Sequence, residues 1–406
     1  MVNKPNISTL AHNDCCGCNA CGDACPTQCI SFKKDDEGFL YPEVDESKCI
    51  HCGKCVSCCP EFNPRYNDAV KSAMAAYASS PDARQAGSSG GLFGVFSSLI
   101  IQKGGKVWGA AFDKNLKLKH TCATTLQEVE PLLRSKYLQS DTSGCYRQIK
   151  EDLKCGILTL FAGTPCQCNA LRNFIGSNDD NLYLVDIICH GVPSQDLFDR
   201  SIKWFEEKNG CKIKQFAFRS KYKGALHPQA FSFICEKNGK NKQINGLHYQ
   251  FPFYFGFQKY ITLRPSCYKC KWTRPERTAD LTLGDFWGIE KFDSNLDPKK
   301  GLSEVLVNTS KGQSLIQEAI KNGLIWHKSF PFDEVASGNG CLHSPTQLKP
   351  ERAELFHHLA NNSFDEVVKT HLVSKKQWVF DLYYGMPGFL RRIIRKIMDN
   401  LNSATL

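Results

Sequence analysis

No stretch of about 18 consecutive apolar residues occurs in the chain, so no segment reads as a membrane-spanning helix. The opening residues, MVNKPNISTLAHND, lack the apolar core of a secretory leader. A Walker loop, a long repeat array and the signature of any recognised nucleic-acid-binding module are also missing, which removes P-loop chemistry, solenoid scaffolds and nucleic-acid partners. Disorder is not expected either. Of the 406 residues 42% are hydrophobic and 23% charged, ordinary for globular protein and enough for two or three domains with a real core. The expectation left by these absences is a folded cytoplasmic chain. Its net charge of +10 and pI near 8.7 permit an acidic partner or a phosphate-bearing ligand, although solvated surface explains much of that charge equally well.

What the chain has in excess is cysteine: twenty-two of them. In a reducing cytosol clustered thiols point to metal binding or redox chemistry rather than disulfides. Cys15, Cys18, Cys21 and Cys25-Pro26 follow the spacing C-x2-C-x2-C-x3-C-P, and Cys49, Cys52, Cys55 and Cys59-Pro60 repeat it. This is the run of two-cluster bacterial ferredoxins, in which the fourth cysteine of each run ligates the other cluster. Three thiolates in one tight loop reach three corners of a cubane only if the loop curls round it, which small residues such as Gly17, Ala20 and Gly53 allow. Cys15, Cys18, Cys21 and Cys59 are therefore assigned to one 4Fe-4S cluster, and Cys49, Cys52, Cys55 and Cys25 to the other. The rival, a pair of zinc sites, needs neither four cysteines per run nor the two prolines. Cys16, Cys29 and Cys58 are off pattern and read as packing thiols. Between the runs, ISF and FLYPEV around DDEG suggest a small hairpin, so residues 1–66 form a ferredoxin-like domain whose end, EFNPRYND, reads as a linker.

Further along, Gly87-Ser88-Ser89-Gly90-Gly91 opens an apolar helical stretch through Leu92, Phe96 and Ile100. A Ser/Gly loop at a helix start can offer backbone N–H groups to a phosphate, or can be only a cap and turn. Two later units share one layout. GILTLFAGTPCQC is a strand, a turn at Gly163-Thr164, then Pro165 and Cys166 at the first helical positions; LYLVDIICHGVPS is a strand, then Cys189-His190-Gly191, then a helix starting at Pro193-Ser194. In open α/β sheets ligands sit at the carboxyl ends of strands, where both Cys166 and Cys189 fall. The segment RPSCYKC adds Cys267 and Cys270, a C-x2-C pair that is half a metal site. A third 4Fe-4S cluster held by Cys166, Cys189, Cys267 and Cys270 follows as a hypothesis; zinc or a redox dithiol at Cys267 and Cys270 is its rival.

GSSGGLF, SKYLQS (135–140), GTPCQ (163–167), DIICHGVPS (186–194), RPSCYKC (264–270) and ADLTLGDFWG (279–288) together resemble the beta subunits of coenzyme F420-dependent hydrogenases and dehydrogenases. The resemblance spans roughly residues 70–345, with the ferredoxin-like domain fused ahead of it. It implies an FAD-binding iron–sulfur subunit. By motif, Ser88, Ser89, Gly90 and Gly91 would contact the FAD, with Lys136, Ser140, Gly163 and Thr164 beside it, and Cys166, Cys189, Cys267 and Cys270 would hold the cluster near the flavin. Substrates vary across this family, and nothing in the residues identifies an F420 pocket. The fold class expected is a mixed α/β flavin-binding domain after a two-cluster ferredoxin-like module. The domains are 1–66, then 67–345 (an N-terminal part of about 67–155 and a C-terminal part of about 156–345), then a helical tail, 346–406.

Flavin takes two electrons as a hydride and can release them singly, whereas each cluster changes by one. The expected function is an oxidoreductase that exchanges electrons between a redox protein, such as ferredoxin or a hydrogenase or dehydrogenase subunit, and a small two-electron substrate. The alternative is a non-catalytic electron-transfer subunit of a larger complex. His190 and His227 are the candidate proton donors if the substrate needs one, although a hydrogen-bonded structural histidine is the commoner role for each. Lys136, Arg264, Arg274 and Arg277 could receive phosphates or an acidic substrate, and Asp280 and Asp285 could orient the RPSCYKC loop. The end of the chain, FLRRIIRKIMDNL, is a basic amphipathic helix that could lie on a membrane surface or pack on the protein itself.

Overall fold

The computed structural model describes residues 4–221 and 230–374, with the single positions 382, 386, 390 and 394 beyond them. His227 and nearly all of the basic C-terminal stretch lie outside the described residues. No helix among the described residues is long and apolar enough to cross a membrane.

Strands β1 (Ile30–Lys34) and β2 (Leu40–Val44) form the antiparallel hairpin expected around DDEG. The remaining strands are β3 (Ser72–Ala78), β4 (Lys106–Phe112), β5 (Leu118–Ala123), β6 (Thr159–Gly163), β7 (Leu182–Ile187) and β8 (Lys212–Phe218). After these come β9 (Ala230–Lys237), β10 (Lys240–Leu247), β11 (Leu281–Asp285), β12 (Ser303–Val307) and β13 (Ile325–Phe330). Eight of them build one mixed sheet in the order β13-β3-β12-β11-β7-β6-β4-β5. Its centre, β4, β6, β7 and β11, is parallel, and the flanks are antiparallel. The near-continuous apolar runs of β6 and β7 fit this position, because parallel strands are covered on both faces. Both parts of residues 67–345 contribute strands to this single sheet, with β3 inserted between β12 and β13.

Helices Leu92–Gln102 and Ser310–Lys321 cover one face through Leu92, Phe96, Leu99, Leu315 and Ile316. Helices Cys145–Lys154 and Pro165–Ile175 cover the other through Tyr146, Ile149 and Leu171, and Cys16, Cys18 and Ala20 of the ferredoxin-like region pack into the same core. A smaller antiparallel sheet, β10-β9-β8, supplies Phe216, Phe218, Phe231 and Phe233 to a third, aromatic core. Each such ring contributes about 1.5–3 kcal/mol by leaving water. Helices Glu351–Asn361 and Phe364–His371 of the tail bury Leu355, Leu359 and Val367 in that core, beside Phe39 and Tyr41 of the hairpin.

The ferredoxin-like region is thus built into the larger unit. Arg264, with no exposed surface, donates to Cys15 O at 2.6 Å, to Leu40 O at 2.9 Å and to Gln139 Oε1 at 2.8 Å. Arg352 pairs with Glu37 and donates to Leu263 O. The expected linker is tied down too: Arg65 N donates to Asn169 Oδ1 at 2.7 Å and Asn67 Nδ2 to Ala279 O at 2.9 Å.

Candidate redox centre: converging thiols beside a large cavity

The two cysteine runs fold alike. In each, a left-handed residue, Asn19 (φ 59°) or Gly53 (φ 74°), starts one helical turn that carries the third thiol, Cys21 or Cys55. The first loop is gripped from outside. Gln139 Nε2 donates to Cys16 O at 2.9 Å and to Gly17 O at 2.7 Å, and Thr142 Oγ1 donates to Cys18 O at 2.6 Å. Gly17 is required there: its φ is +68°, and a Cβ would stand 2.2 Å from the Gln139 amide.

The thiols of the two runs lie among one another. Burial pushes Cys21 well up, and Cys15, Cys58, Cys59 and Cys55 add to the shift. Cys18 neighbours Cys59 and Cys21. On the other side Cys25 lies 3.3 Å from the off-pattern Cys29, which neighbours Cys49, while Cys52 neighbours Cys55. Asn6 Nδ2 donates to Cys49 Sγ at 3.6 Å. Cys49 and Cys52 are half-buried, whereas Cys18, Cys21 and Cys59 are buried. Of the expected sets, the second thus has two half-buried thiols, with Cys25 and Cys55 buried, and the first has one, Cys15; they are called outer and inner below.

A third group forms at the carboxyl edge of the parallel strands. Cys166, Cys189, Cys267 and Cys270 line one small cavity, and Cys16 reaches into it from the ferredoxin side. Cys166 sits in the first turn of its helix, which opens on Pro165 with Thr164 and Gln167 as a capping box. Gly191 (φ +121°) lets the loop after β7 approach the RPSCYKC loop; a Cβ there would meet Leu263 Cδ1 at 2.7 Å and Cys267 Cβ at 2.9 Å. Burial pushes Cys267 to about 12 and raises Cys189 far above the ordinary thiol, with Cys267, Cys166 and Cys270 adding to the latter. Buried thiols that mutually oppose ionisation are stabilised as thiolates by a bound metal. Four sulfur donors around one cavity are the donor set of a cubane.

Beside this cavity lies a second, of about 450 Å³. Ser88, Ser89 and Gly91 of the Ser/Gly loop line it, as do Lys136, Ser140, Gly163 and Thr164. Gly90 is not among the lining residues. It is turned onto the sheet, its N–H donating to Ser303 Oγ at 2.9 Å and its carbonyl accepting from Ala78 N at 2.7 Å. A Cβ would meet Ala76 O at 2.5 Å, so the glycine serves the loop's close approach to β3. Ser140, Thr164 and Gln167 line both cavities and form the wall between them.

His190 also faces the large cavity, with Nδ1 3.3 Å from Cys341 Sγ and 3.5 Å from Tyr260 Oη; burial favours its neutral form. Several basic residues are committed elsewhere. Lys136 Nζ donates to the carbonyls of Pro131, Leu132 and Leu133. Arg264 fastens the ferredoxin loop, Arg274 pairs with Glu276, and Arg277 pairs with Asp186 while donating to Trp272 O and Ile187 O. Arg277 is thus what ties the RPSCYKC loop to β7. Asp280 and Asp285 do other work: Asp280 accepts from Leu184 N at 2.8 Å, and Asp285 forms a two-pronged pair with Arg219 at 2.7 and 2.9 Å. Sequence reasoning missed Arg219, which also donates to Ser88 O at 3.2 Å and so fixes the Ser/Gly loop from the end of β8. It missed the cavity residues Trp287 and His120 as well, which no spacing marks.

Residues 158–331 match the family model for the C terminus of the coenzyme F420 hydrogenase/dehydrogenase beta subunit, and residues 14–63 match that of a 4Fe-4S dicluster domain. Among curated proteins, NADH-quinone oxidoreductase subunit I of Pelobacter propionicus is 40% identical over 55 residues, 12% of this chain and 30% of that protein. The chain therefore spans under a third of that relative's length. Among solved structures, a chain of the F420-reducing NiFe hydrogenase complex from Methanosarcina barkeri, in a xenon derivative, is 18% identical with a TM-score of 0.43, covering 76% of this chain and 93% of that one. The chain thus joins a segment similar to a 4Fe-4S dicluster domain, residues 14–63, to one similar to the C terminus of the coenzyme F420 hydrogenase/dehydrogenase beta subunit, residues 158–331.

Proposed function

We propose that the chain is an FAD- and 4Fe-4S-dependent oxidoreductase that exchanges electrons between a redox protein at its ferredoxin end and a small two-electron substrate at the large cavity. One observation carries this: the wall of Ser140, Thr164 and Gln167 has four converging thiols on one side and the cavity of the Ser/Gly loop on the other. The metal ligands would be Cys15, Cys18, Cys21 and Cys59, then Cys25, Cys49, Cys52 and Cys55, then Cys166, Cys189, Cys267 and Cys270. When bound, the flavin supplies two-electron chemistry and the clusters one-electron transfers.

The protein's own part is placement. The Ser/Gly loop, held by Arg219 and by Lys221 Nζ on Ser89 O at 2.8 Å, keeps Ser88, Ser89 and Gly91 on the cavity wall. Ser140, Gly163 and Thr164 define the end of the cavity that abuts the thiols. Trp272, buried two residues past the RPSCYKC loop, forms part of the small cavity's wall. His190 stands where it can pass a proton to a substrate. In this reading electrons would pass between the partner and the cavity by way of the two ferredoxin-type sets and the Cys166 group.

Iron, acid-labile sulfide, zinc and extractable flavin per chain, measured after anaerobic purification, test the proposal. About twelve irons and one FAD are expected, four irons per cluster. About eight irons without flavin would leave a ferredoxin-headed relay subunit, and zinc in place of iron would sink both readings.

A further inference from the structure

The residues ahead of the first cysteine run are fastened over the second. Lys4 N donates to His51 O at 3.1 Å, Ile7 is buried against Cys21, Cys55 and Cys59, and Asn6, only 6% exposed, is the N-cap of the turn Ile7–Thr9. The Asn6 side chain is fully engaged. Its Oδ1 accepts from Ser8 N at 2.9 Å and from Ser8 Oγ at 2.6 Å, while its Nδ2 donates to Glu46 Oε1 at 2.8 Å and to Cys49 Sγ at 3.6 Å. This network fixes which way the amide points. The backbone N–H of Ser8 can only donate, so the atom facing it is the oxygen, and the two amide N–H groups are left for the carboxylate and the sulfur. Neither the cysteine spacing nor the dicluster match over residues 14–63 includes Asn6.

We propose that Asn6 is a potential-setting residue: its amide N–H, donated to the sulfur of Cys49, raises the reduction potential of the outer ferredoxin-type cluster without ligating it. The inference rests on the reading of Cys49 as an iron ligand. The physical reason is charge. Reducing a thiolate-bound cluster adds negative charge that spreads onto its sulfurs, and a donor aimed at a ligand sulfur stabilises the reduced form more than the oxidised one. Because Asn6 is buried, water competes little for the bond. The second N–H, held by Glu46, and the oxygen, held by Ser8, keep the amide from rotating away.

The experiment uses the full chain, purified anaerobically, as wild type, Asn6→Ser and Asn6→Asp, with iron counted and each cluster titrated potentiometrically while its reduced signal is followed by electron paramagnetic resonance. Serine and aspartate are both good N-caps, so each variant keeps an acceptor for Ser8 N and loses the amide donor. Cys49→Ala identifies the outer cluster as the one whose signal it removes. Both Asn6 variants are expected to keep the wild-type iron content, to shift the outer cluster's midpoint potential downward and to leave the other potentials in place. Asn6→Asp should shift it further, since it also sets a carboxylate beside the sulfur. A role confined to capping would leave wild-type potentials in both variants, and that result would overturn the proposal. A shift in Asn6→Asp alone would overturn it too, because it would report the added charge and not the lost donor. So would a loss of about four irons in both variants, which would make the amide part of the scaffold that assembles the cluster. If Cys49→Ala removes no cluster, the ligand reading fails, and that outcome is distinct from a failure of the hydrogen bond.

Discussion

Gln167 Nε2 donates to Ser140 Oγ at 3.0 Å across the wall shared by the thiol-lined cavity and the larger one. The same side chain accepts from Thr164 N at 3.0 Å and from Thr164 Oγ1 at 3.1 Å, so one amide both caps the helix that carries Cys166 and stiffens the partition. Gln167→Leu removes the cap and orphans buried polar groups, which should cost about 2 kcal/mol. The expected outcome is a lower urea midpoint together with weaker flavin retention through gel filtration. Unchanged retention in a destabilised variant would reduce Gln167 to a helix cap.

Arg264 is the fastening between the ferredoxin-like hairpin, the first cysteine loop and the 135–140 segment. Arg264→Met keeps much of the volume and strands three acceptors. A loss of roughly 3 kcal/mol or more is expected, since hydrogen bonds to charged groups are each worth about 1.5–3 kcal/mol. Thermal unfolding and the visible circular dichroism of the clusters should both report it. A variant with wild-type melting would show that the two regions are held by their aromatic core alone.

The interleaved assignment makes iron counts informative. Cys59→Ala lies in the second cysteine run but should remove the inner cluster, and Cys25→Ala should remove the outer one. Each should leave about eight of twelve irons, with a different reduced-cluster signal missing in each. Cys189→Ala should also leave about eight, and should disturb the flavin's visible spectrum, which the other two should not. Identical spectra from all three variants would contradict three separate centres.

Glu304 on β12 is buried, with Oε2 accepting from Asn339 Nδ2 at 2.6 Å and Oε1 without a partner. Burial, opposed by that hydrogen bond and reinforced by Asp285, raises its carboxyl from 4.5 to about 8. Because the folded value lies above the unfolded one, the stability it contributes is fully present below about 4.5 and is lost as pH rises through about 8. Glu304→Gln keeps an acceptor for Asn339 and removes the titration. Between pH 5 and pH 8 the wild type's melting temperature should therefore fall relative to that of the variant, and parallel profiles would show that the carboxyl is ionised throughout.

The parts of the fold that were legible in the sequence are those with short-range causes. The ferredoxin hairpin, the strand before Thr164 and the helix beginning at Pro165 follow from alternation, turn residues and capping chemistry. The placement of β3 between β12 and β13, some 230 residues later in the chain, has no local signal, because strand order is chosen by the packing of faces. Gly90 illustrates the same limit within the site: its neighbours Ser88, Ser89 and Gly91 reach the cavity, and only the register against β3 turns Gly90 away. The arginines show a related limit. Charge in a sequence is equally a ligand contact or an internal fastening, and burial against named carbonyls decides which.

What the sequence by itself determined was the chemistry. Cysteine spacing defines loops able to wrap a cubane, because three thiols at that separation can meet only by curling round a common centre. What only the tertiary structure decided was which groups share a wall. Cys166, Cys189 and the Cys267–Cys270 pair come from three separate segments and meet at one sheet edge, Cys16 arrives there from the ferredoxin loop, and the larger cavity opens on the other side of Ser140 and Gln167. Those distances are set by parallel strands ending in register and by buried arginines pulling loops together, interactions between residues far apart in sequence that no local pattern encodes.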